Sequence, residues 1–192
     1  MEIVQPPLTP EKQRDDLLLR KARAGDRSAF AELYQSHAAG IHRYALHMTG
    51  NSSLADEALQ ETFLAVLRDT SGYDGHRGTL GAYLFGIARN RIRRQMALDR
   101  EFDEPDVGVV AAGDPFEDLI RQETIDAVRQ AVLKLPASYR EAIVLCELEE
   151  MAYEEAAALM GCPVGTVRSR LHRGRALLLA RLTGLKQQRV NV

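Results

Sequence analysis

The stretch LPASYREAIVLCELEEMAYEEAAALMGCPVGTVRSRLHRGRALLLARL, from Leu135 to Leu182, decides the fold of the C-terminal half. Within it, Tyr153 to Met160 has the small apolar residues of a short helix. Gly161 can take the left-handed conformation that ends a helix, and Pro163 suits the first turn of the next one. Only Cys162 stands between them. The stretch therefore predicts two helices joined by a tight turn, which is the pattern of a helix-turn-helix.

The second of these helices has two distinct faces. At about 100° per residue, its apolar residues share one side, with a glycine at which a neighbouring helix can approach closely: Val164, Val167, Leu171, Gly174 and Leu178. The opposite side is polar and consists of Gly165, Ser169, His172 and Arg173, flanked by Thr166 and Arg168. From Val164 to Arg181 there are five arginines and no acidic residue, although the chain has a formal net charge of −2. Positive charge is therefore concentrated on one helix.

The polar side of this helix predicts contact with duplex DNA. The second helix of a helix-turn-helix enters the major groove, and a planar guanidinium bonds guanine edges or phosphates in pairs. The candidate DNA contacts are Thr166, Arg168, Ser169, His172 and Arg173. An ordinary helical hairpin with a solvated arginine face is the alternative.

The motifs of this stretch resemble those of a known family. LPxxYREAxxL, then YEEAA from Tyr153, then GCPVGTVRSRLHRGRALL from Gly161, look like the fourth conserved region of bacterial sigma factors. The likeness is greatest to the extracytoplasmic-function group (ECF, group 4) of the sigma-70 family, and it implies recognition of the minus-thirty-five promoter element. Two positions depart from the family pattern: Ala152 stands where serine is usual, and Glu150 where glycine is common. Loss of a hydroxyl cap at Ala152 should weaken the helix start by about 1 kcal/mol.

Cap and stop signals predict the helices of the N-terminal half. The helix starts are marked by Thr9 with Pro10, by Asp26, and by Ser52 or Ser53. The stops are marked by Gly25 and by Gly50 with Asn51. The second helix carries a series of apolar and aromatic residues: Phe30, Leu33, Tyr34, Ile41, Tyr44, Ala45 and Met48.

The third helix, LADEALQETFLAVLRD, carries a polar face as well as an inward stripe of Leu59, Phe63 and Val66. Taken alone, its acidic residues indicate a solvated surface. ADEALQETFLAVLR resembles sigma region 2.2, which in the family docks on the clamp helices of the largest catalytic subunit of RNA polymerase. The resemblance implies that the polymerase-contact residues are Asp56, Gln60, Glu61 and Leu64, whereas Phe63 belongs to the core by its phase.

The loop TSGYDGHRGTLG, from Thr70 to Gly81, combines four glycines with Tyr73, Asp74, His76 and Arg77. An aromatic ring, a carboxylate and two potential cations can stack on and hydrogen-bond an unstacked base. A plain surface loop is the alternative that the residues themselves leave open.

The next helix, LGAYLFGIARNRIRRQ, favours the nucleic-acid interpretation of that loop. Its inward residues are Leu80, Tyr83, Leu84 and Ile87, and they are followed by the acid-free basic run Arg89, Asn90, Arg91, Arg93 and Arg94. With IARN from Ile87 to Asn90, this helix resembles sigma regions 2.3 and 2.4, although Tyr83 stands where tryptophan is frequent. The resemblance implies that loop and helix recognise the minus-ten element: the loop captures a flipped base of the nontemplate strand, Arg89 and Arg93 hold phosphates, and Asn90 belongs to the same surface.

The whole chain is predicted to be all-α, with two small helical domains joined by a flexible linker. Alternating strand patterns are nearly absent, and the segment 99–114 is rich in acidic and small residues, as linkers are. The domains are expected at 10–98, which resembles sigma region 2, and at 115–185, which resembles region 4 and contains the helix-turn-helix. Residues 1–9 and 186–192 are expected to be tails. The lack of a longer region 3 domain is the pattern of the ECF group.

Composition excludes several other classes of protein. Cys146 and Cys162 give neither a disulfide framework nor a metal-binding set and are expected to be buried small residues, with a redox role left open. The polar, acidic N-terminus is no signal peptide, and no apolar run approaches the roughly 20 residues of a membrane span. No nucleophile–base pair or phosphate-cradling loop is present in the sequence. The expectation is a cytoplasmic protein that is not an enzyme and needs no cofactor.

The leading hypothesis is a promoter-specificity subunit that brings core RNA polymerase to promoter DNA, and the family resemblance implies an anti-sigma factor that covers the same surfaces. A free-standing helix-turn-helix regulator is the alternative, with residues 10–98 as a dimerisation or ligand module. It predicts dimers on palindromic sites without polymerase, and the second basic helix counts against it. A third hypothesis is an interaction module whose basic helix docks an acidic protein.

Overall fold

The structure, a computed structural model, describes residues 9–99 and 117–190. Every element of secondary structure in these residues is a helix, which confirms the predicted all-α fold. Residues 1–8 of the expected N-terminal tail, residues 100–114 of the expected linker and the helix restart expected at Asp114 and Pro115 lie outside the described residues. No helix in the described part of the chain is long and apolar enough to cross a membrane.

The described residues form two compact units. The first unit contains α1 (Pro10–Arg23), most of α2 (Arg27–Thr49), α3 (Ser52–Arg68) and α4 (Leu80–Asp99), while residues 46–52 are grouped with the second unit. Buried apolar residues from all four helices make its core, among them Leu19, Leu33, Ile41, Leu59, Phe63, Val66, Leu80, Leu84 and Ala88. The inward phases predicted for α3 and α4, including the core position of Phe63, are therefore confirmed.

Two of the three predicted helix caps are confirmed. The Thr9 hydroxyl accepts the backbone N–H of Lys12 at 3.4 Å, and Asp26 Oδ1 accepts the backbone N–H groups two and three residues further on, at 2.9 and 3.1 Å. The cap predicted at Ser52 or Ser53 is wrong, because Ser52 is already the first residue of α3. The cap position therefore falls one residue earlier in the chain.

The second unit holds the remaining helices. They are α5 (Glu117–Leu133), α6 (Ala137–Ile143), which continues into a π-helical turn (Val144–Leu148), α7 (Tyr153–Met160) and α8 (Val164–Val190). Its buried residues include Val132, Leu135, Ile143, Val144, Leu145, Met160, Val167 and Leu171. The last helix continues past the domain end expected at residue 185.

The junction of α5 and α6 is held by a half-buried arginine. The Nη2 group of Arg140 donates to the backbone carbonyl of Leu135 at 3.2 Å and to that of Leu133. Carbonyl groups at the end of a helix have no partner within the helix, so this guanidinium supplies the missing donors. The contact fixes the start of α6, against which α8 packs.

The turn between α7 and α8 has the predicted geometry. Gly161 adopts the left-handed conformation with φ 64° and ψ 42°, and the backbone N–H of Cys162 bonds the carbonyl of Ala157 at 3.0 Å. Pro163 lies one position earlier than predicted, immediately before the first helical residue, and its carbonyl accepts the N–H of Thr166 at 2.8 Å. The helix-turn-helix is therefore confirmed.

The two departures from the family pattern both lie just before α7. Glu150 has a φ of 53°, a conformation that a side chain disfavours and a glycine adopts freely. Ala152 occupies the cap position of α7 without a side-chain hydrogen bond. The absence of a cap predicted at Ala152 is confirmed, and the backbone at Glu150 explains why glycine is common there.

Candidate nucleic-acid interface

The first candidate surface is the outward face of α8. Arg168, Ser169, His172 and Arg173 are all exposed, while Thr166 is half-buried at their edge. The orientation follows from the opposite side of the helix, where Val167 and Leu171 are buried and Gly174 faces α6. A Cβ atom on Gly174 would lie 3.0 Å from Cγ1 of Ile143, so glycine permits the close approach of the two helices. The structure thus brings together all five residues predicted on this face.

The arginines of α8 have different partners. Arg175 pairs with Glu147, and Nη1 of Arg170 lies 3.6 Å from the sulfur of Cys162. Arg168 and Arg173 make no ion pair with any residue whose side chain the structure describes, that is, within 9–97 and 125–183. The guanidinium groups of Arg168 and Arg173 are therefore available to an external partner on this face, where phosphates or guanine edges can reach them.

The second candidate surface is the loop between α3 and α4. Asp74, His76 and Arg77 are exposed, and Oδ1 of Asp74 accepts the backbone N–H of His76 at 2.9 Å. Tyr73 lies differently: it is half-buried, its ring centroid is 5.4 Å from that of Tyr83, and its hydroxyl donates to Asp16 at 2.6 Å. The loop therefore presents three polar side chains and keeps its aromatic ring on the body of the first unit.

The basic run of α4 continues this surface. Asn90 and Arg93 are exposed and Arg89 is half-buried, whereas Ala88 and Ile92 are buried in the core. The neighbouring guanidinium, that of Arg91, is held by two carboxylates of α3, with Nη2 at 2.6 Å from Glu57 and 2.8 Å from Glu61. Thus Arg91 is engaged within the unit, and Arg93 is directed to solvent.

The polar face of α3 is the third candidate surface. Asp56 and Gln60 are exposed, and the exposed fraction of Leu64 is 41%. Asp56 Oδ1 lies 3.2 Å from Nε2 of His42, and Glu61 is the residue that pairs with Arg91. An exposed leucine beside exposed polar groups can contact another protein, and these residues were the polymerase-contact candidates.

Sequence reasoning missed the residues that hold the loop in place. Asp16 and Arg23 on α1 bond Tyr73 and Thr70 respectively, and Thr79 caps α4 by accepting the N–H of Ala82 at 3.1 Å. A threonine before a helix is a recognisable cap signal. By contrast, the residues of α1 are distant from the loop along the chain, so no local pattern connects them.

The chain has two helical units, one with a basic face on a helix-turn-helix and one with a polar loop beside a basic helix. These are features of a DNA-binding protein, with one candidate nucleic-acid surface on each unit. Comparison with protein families identifies which kind. The family described as Sigma-70 region 2 matches residues 33–100, and the family described as Sigma-70, region 4 matches residues 125–178.

Relatives of known function agree with this assignment. The chain is 37% identical to the ECF RNA polymerase sigma factor SigE of Mycolicibacterium smegmatis over 80% of this chain and 63% of that protein. It is 31% identical to the ECF RNA polymerase sigma factor SigW of Bacillus subtilis over 87% of this chain and 96% of that protein. The chain belongs to the sigma-70 family and, within it, to the ECF sigma factors.

A solved structure of another sigma factor has the same fold. Sigma factor RpoE of Bartonella quintana, in complex with the anti-sigma factor NepR, matches with a TM-score of 0.68 and 26% identity over 80% of this chain and 96% of that one. The helical architecture described above is therefore that of a sigma factor.

Proposed function

We propose that this ECF sigma factor divides promoter recognition between its two units. The first unit binds core RNA polymerase through the α3 face of Asp56, Gln60, Glu61 and Leu64. The same unit contacts the opened minus-ten element through the loop and α4. The second unit binds the minus-thirty-five element as duplex, with the outward face of α8 in the major groove.

The observation that carries the proposal is the presence of exposed arginines without an acidic partner in both units. Arg168 and Arg173 on α8 and Arg93 on α4 make no ion pair with the side chains that the structure describes, those of 9–97 and 125–183. An ion pair at the surface contributes little to protein stability. Several exposed arginines that contact the same polyanion, however, increase binding affinity because counterions are released from it. Two such surfaces in one chain suit a protein that contacts a promoter at two places.

Opening of the minus-ten element would come from binding energy and involve no covalent chemistry. A base leaves the stack at a cost of a few kcal/mol, which contacts to the extruded base and to the phosphates can offset. The candidates for base contact are the exposed side chains of the loop, Asp74, His76 and Arg77, while Tyr73 is half-buried against Tyr83. The candidates for contact with the DNA backbone are Arg89, Asn90 and Arg93. On this proposal the chain is no enzyme, takes no cofactor and acts in the cytoplasm with the polymerase, which performs the catalysis.

An anti-sigma factor is the expected regulator. The related factor of Bartonella quintana was solved with one. By analogy, we propose that such a partner covers the polymerase- and DNA-binding surfaces of this chain until a signal releases it.

The experiment that tests the proposal mixes the purified chain with sigma-free bacterial core polymerase and measures co-migration on a sizing column. We expect a stable complex, and selection of promoter fragments from a random pool by that complex should return two separated conserved elements. A chain that does not join the polymerase, and instead shifts duplex DNA alone as a dimer, would overturn the proposal in favour of the free-standing regulator.

A further inference from the structure

The loop between α3 and α4 is fastened to α1 at two points. At its start, Arg23 donates from Nη1 to the hydroxyl of Thr70 at 2.6 Å and from Nε to the carbonyl of Leu67 at 3.3 Å. In its middle, the hydroxyl of Tyr73 donates to Oδ1 of Asp16 at 2.6 Å. Asp16 and Arg23 lie two turns apart on one helix, so α1 holds the loop along its length.

The bond between Tyr73 and Asp16 is enclosed by the loop itself. Gly75 is buried, and a Cβ atom there would lie 2.8 Å from Oδ2 of Asp16. A Cβ atom on Gly72 would lie 3.0 Å from the hydroxyl of Tyr83, whose ring packs on that of Tyr73. The two glycines therefore let the loop backbone pack closely around Tyr73 and Asp16. A larger residue at either position would push the loop away from α1 and Tyr83.

The chemistry of Tyr73 suits an anchor. Burial, and then the hydrogen bond to Asp16, raise the pKa of its hydroxyl, so that the group stays protonated and donates at any ordinary pH. A hydrogen bond to a carboxylate is stronger than one between neutral groups. Beyond this anchor the loop turns outward, where Asp74 Oδ1 accepts the N–H of His76 and the side chain of Arg77 is exposed.

We propose that Asp16 is a positioning residue for minus-ten recognition, which acts by holding the Tyr73 hydroxyl so that the loop presents Asp74, His76 and Arg77 to the DNA. In this arrangement Tyr73 contributes through its hydroxyl and its packing on Tyr83, and not by stacking on a base. The inference rests on the proposed function of the loop in minus-ten recognition, and it adds α1 to the promoter-recognition apparatus.

The test compares Tyr73→Phe, Asp16→Ala, Asp16→Asn and Glu11→Ala, each assembled with core polymerase. Phenylalanine stacks on a base as well as tyrosine does but cannot donate to Asp16, whereas asparagine keeps an acceptor oxygen. Glu11 is an exposed acid on the same helix, five residues before Asp16, and is the matched control. The probe is a single-stranded nontemplate oligonucleotide that carries the minus-ten element of a promoter selected by the wild-type complex.

We expect Tyr73→Phe and Asp16→Ala to bind this oligonucleotide on the order of tenfold more weakly. Asp16→Asn, which keeps a weaker neutral acceptor, should lose less affinity than Asp16→Ala, and Glu11→Ala should bind as the wild type does. Binding of core polymerase and of a duplex minus-thirty-five fragment should be unchanged in all four. Tyr73→Phe with wild-type affinity would overturn the inference, because it would indicate direct stacking. Parallel loss of core binding would also overturn it, since Asp16 would then act on the stability of the fold. A wild-type complex that fails to bind the oligonucleotide would overturn the proposed function itself, and this inference with it.

Discussion

Glu150 carries backbone strain immediately before the first helix of the helix-turn-helix. Its φ of 53° lies in the left-handed region, which costs a residue with a Cβ atom roughly 1–2 kcal/mol. The neighbouring Glu149 has a φ of −105°, where no such cost arises. Because Glu150 is strained and Glu149 is not, the same substitution at the two positions should have opposite effects on stability.

Glu150→Gly should stabilise the chain by up to about 1 kcal/mol, because relief of the strain exceeds the added flexibility of the unfolded glycine. Thermal unfolding followed by circular dichroism should show a midpoint a few degrees higher. Glu150→Gln, which removes the charge but keeps the Cβ atom, should leave the midpoint where it is. Glu149→Gly should lower the midpoint, because glycine makes the unfolded chain more flexible and relieves no strain at this position. Equal midpoints for the two glycine variants would contradict the strain argument.

At the scale of the element, α8 is positioned by the contact of Gly174 with α6. A Cβ atom there would lie 3.0 Å from Cγ1 of Ile143 and 3.4 Å from the carbonyl oxygen of Tyr139. Ile143 is 2% exposed, so it has little room to move aside. Gly165, on the opposite side of the same helix, has no atom within 4 Å of its Cβ position.

Gly174→Ala and Gly165→Ala should therefore have opposite effects on stability. Alanine favours a helix over glycine by about 1 kcal/mol, so Gly165→Ala should raise the free energy of unfolding. At Gly174 that gain is outweighed by overpacking of roughly 1–3 kcal/mol, and the variant should be less stable than the wild type. Chemical denaturation of both variants measures the difference. A stabilised Gly174→Ala would mean that α6 and α8 can separate without cost.

The polar face of α3 is the second element whose role can be isolated. The double substitution of Asp56 and Gln60 by alanine should weaken binding to core polymerase by about tenfold, as loss of central contacts in an interface does. Stability should hardly change, because the contact of Asp56 with His42 lies at the surface, where polar contacts contribute little to the free energy of unfolding. Glu32→Ala removes another exposed acid of the same unit, one that pairs with Arg14, and is the control. Unchanged polymerase binding in the double variant would return the α3 face to a merely solvated surface.

At the scale of the whole molecule, polymerase binding is assigned to the first unit and binding of the minus-thirty-five element to the second. A substitution in one unit should therefore remove one of these functions and leave the other intact. Arg173→Ala should weaken binding of the minus-thirty-five duplex by about tenfold, the cost of one lost arginine–base or arginine–phosphate contact. Binding of core polymerase should be intact. Arg181→Ala removes an exposed arginine of the same helix beyond the predicted DNA-contact face and should have a much smaller effect. Simultaneous loss of DNA and polymerase binding in Arg173→Ala would contradict the assignment of the two functions to different units.

Much of this protein could be predicted from local patterns in the chain. Helix periodicity, the cap signals at Thr9 and Asp26 and the stop at Gly161 gave the all-α fold and the helix-turn-helix, because each depends on residues within a few positions of one another. The same reasoning placed Arg168 and Arg173 on the exposed face of α8, since the phase of a helix follows from Val167 and Leu171.

What only the tertiary structure decided is which polar groups find partners. Arg91 and Arg93 stand two positions apart in one basic run, yet Arg91 is held by Glu57 and Glu61 while Arg93 is exposed. From the sequence, Tyr73 was a candidate for stacking on a base. In the structure its hydroxyl donates a hydrogen bond to Asp16, which lies on a helix distant in sequence. Local sequence determines the conformation of a helix and the side that it buries. Pairing between distant charged and polar groups depends on how the helices pack, and that packing is a property of the folded chain alone.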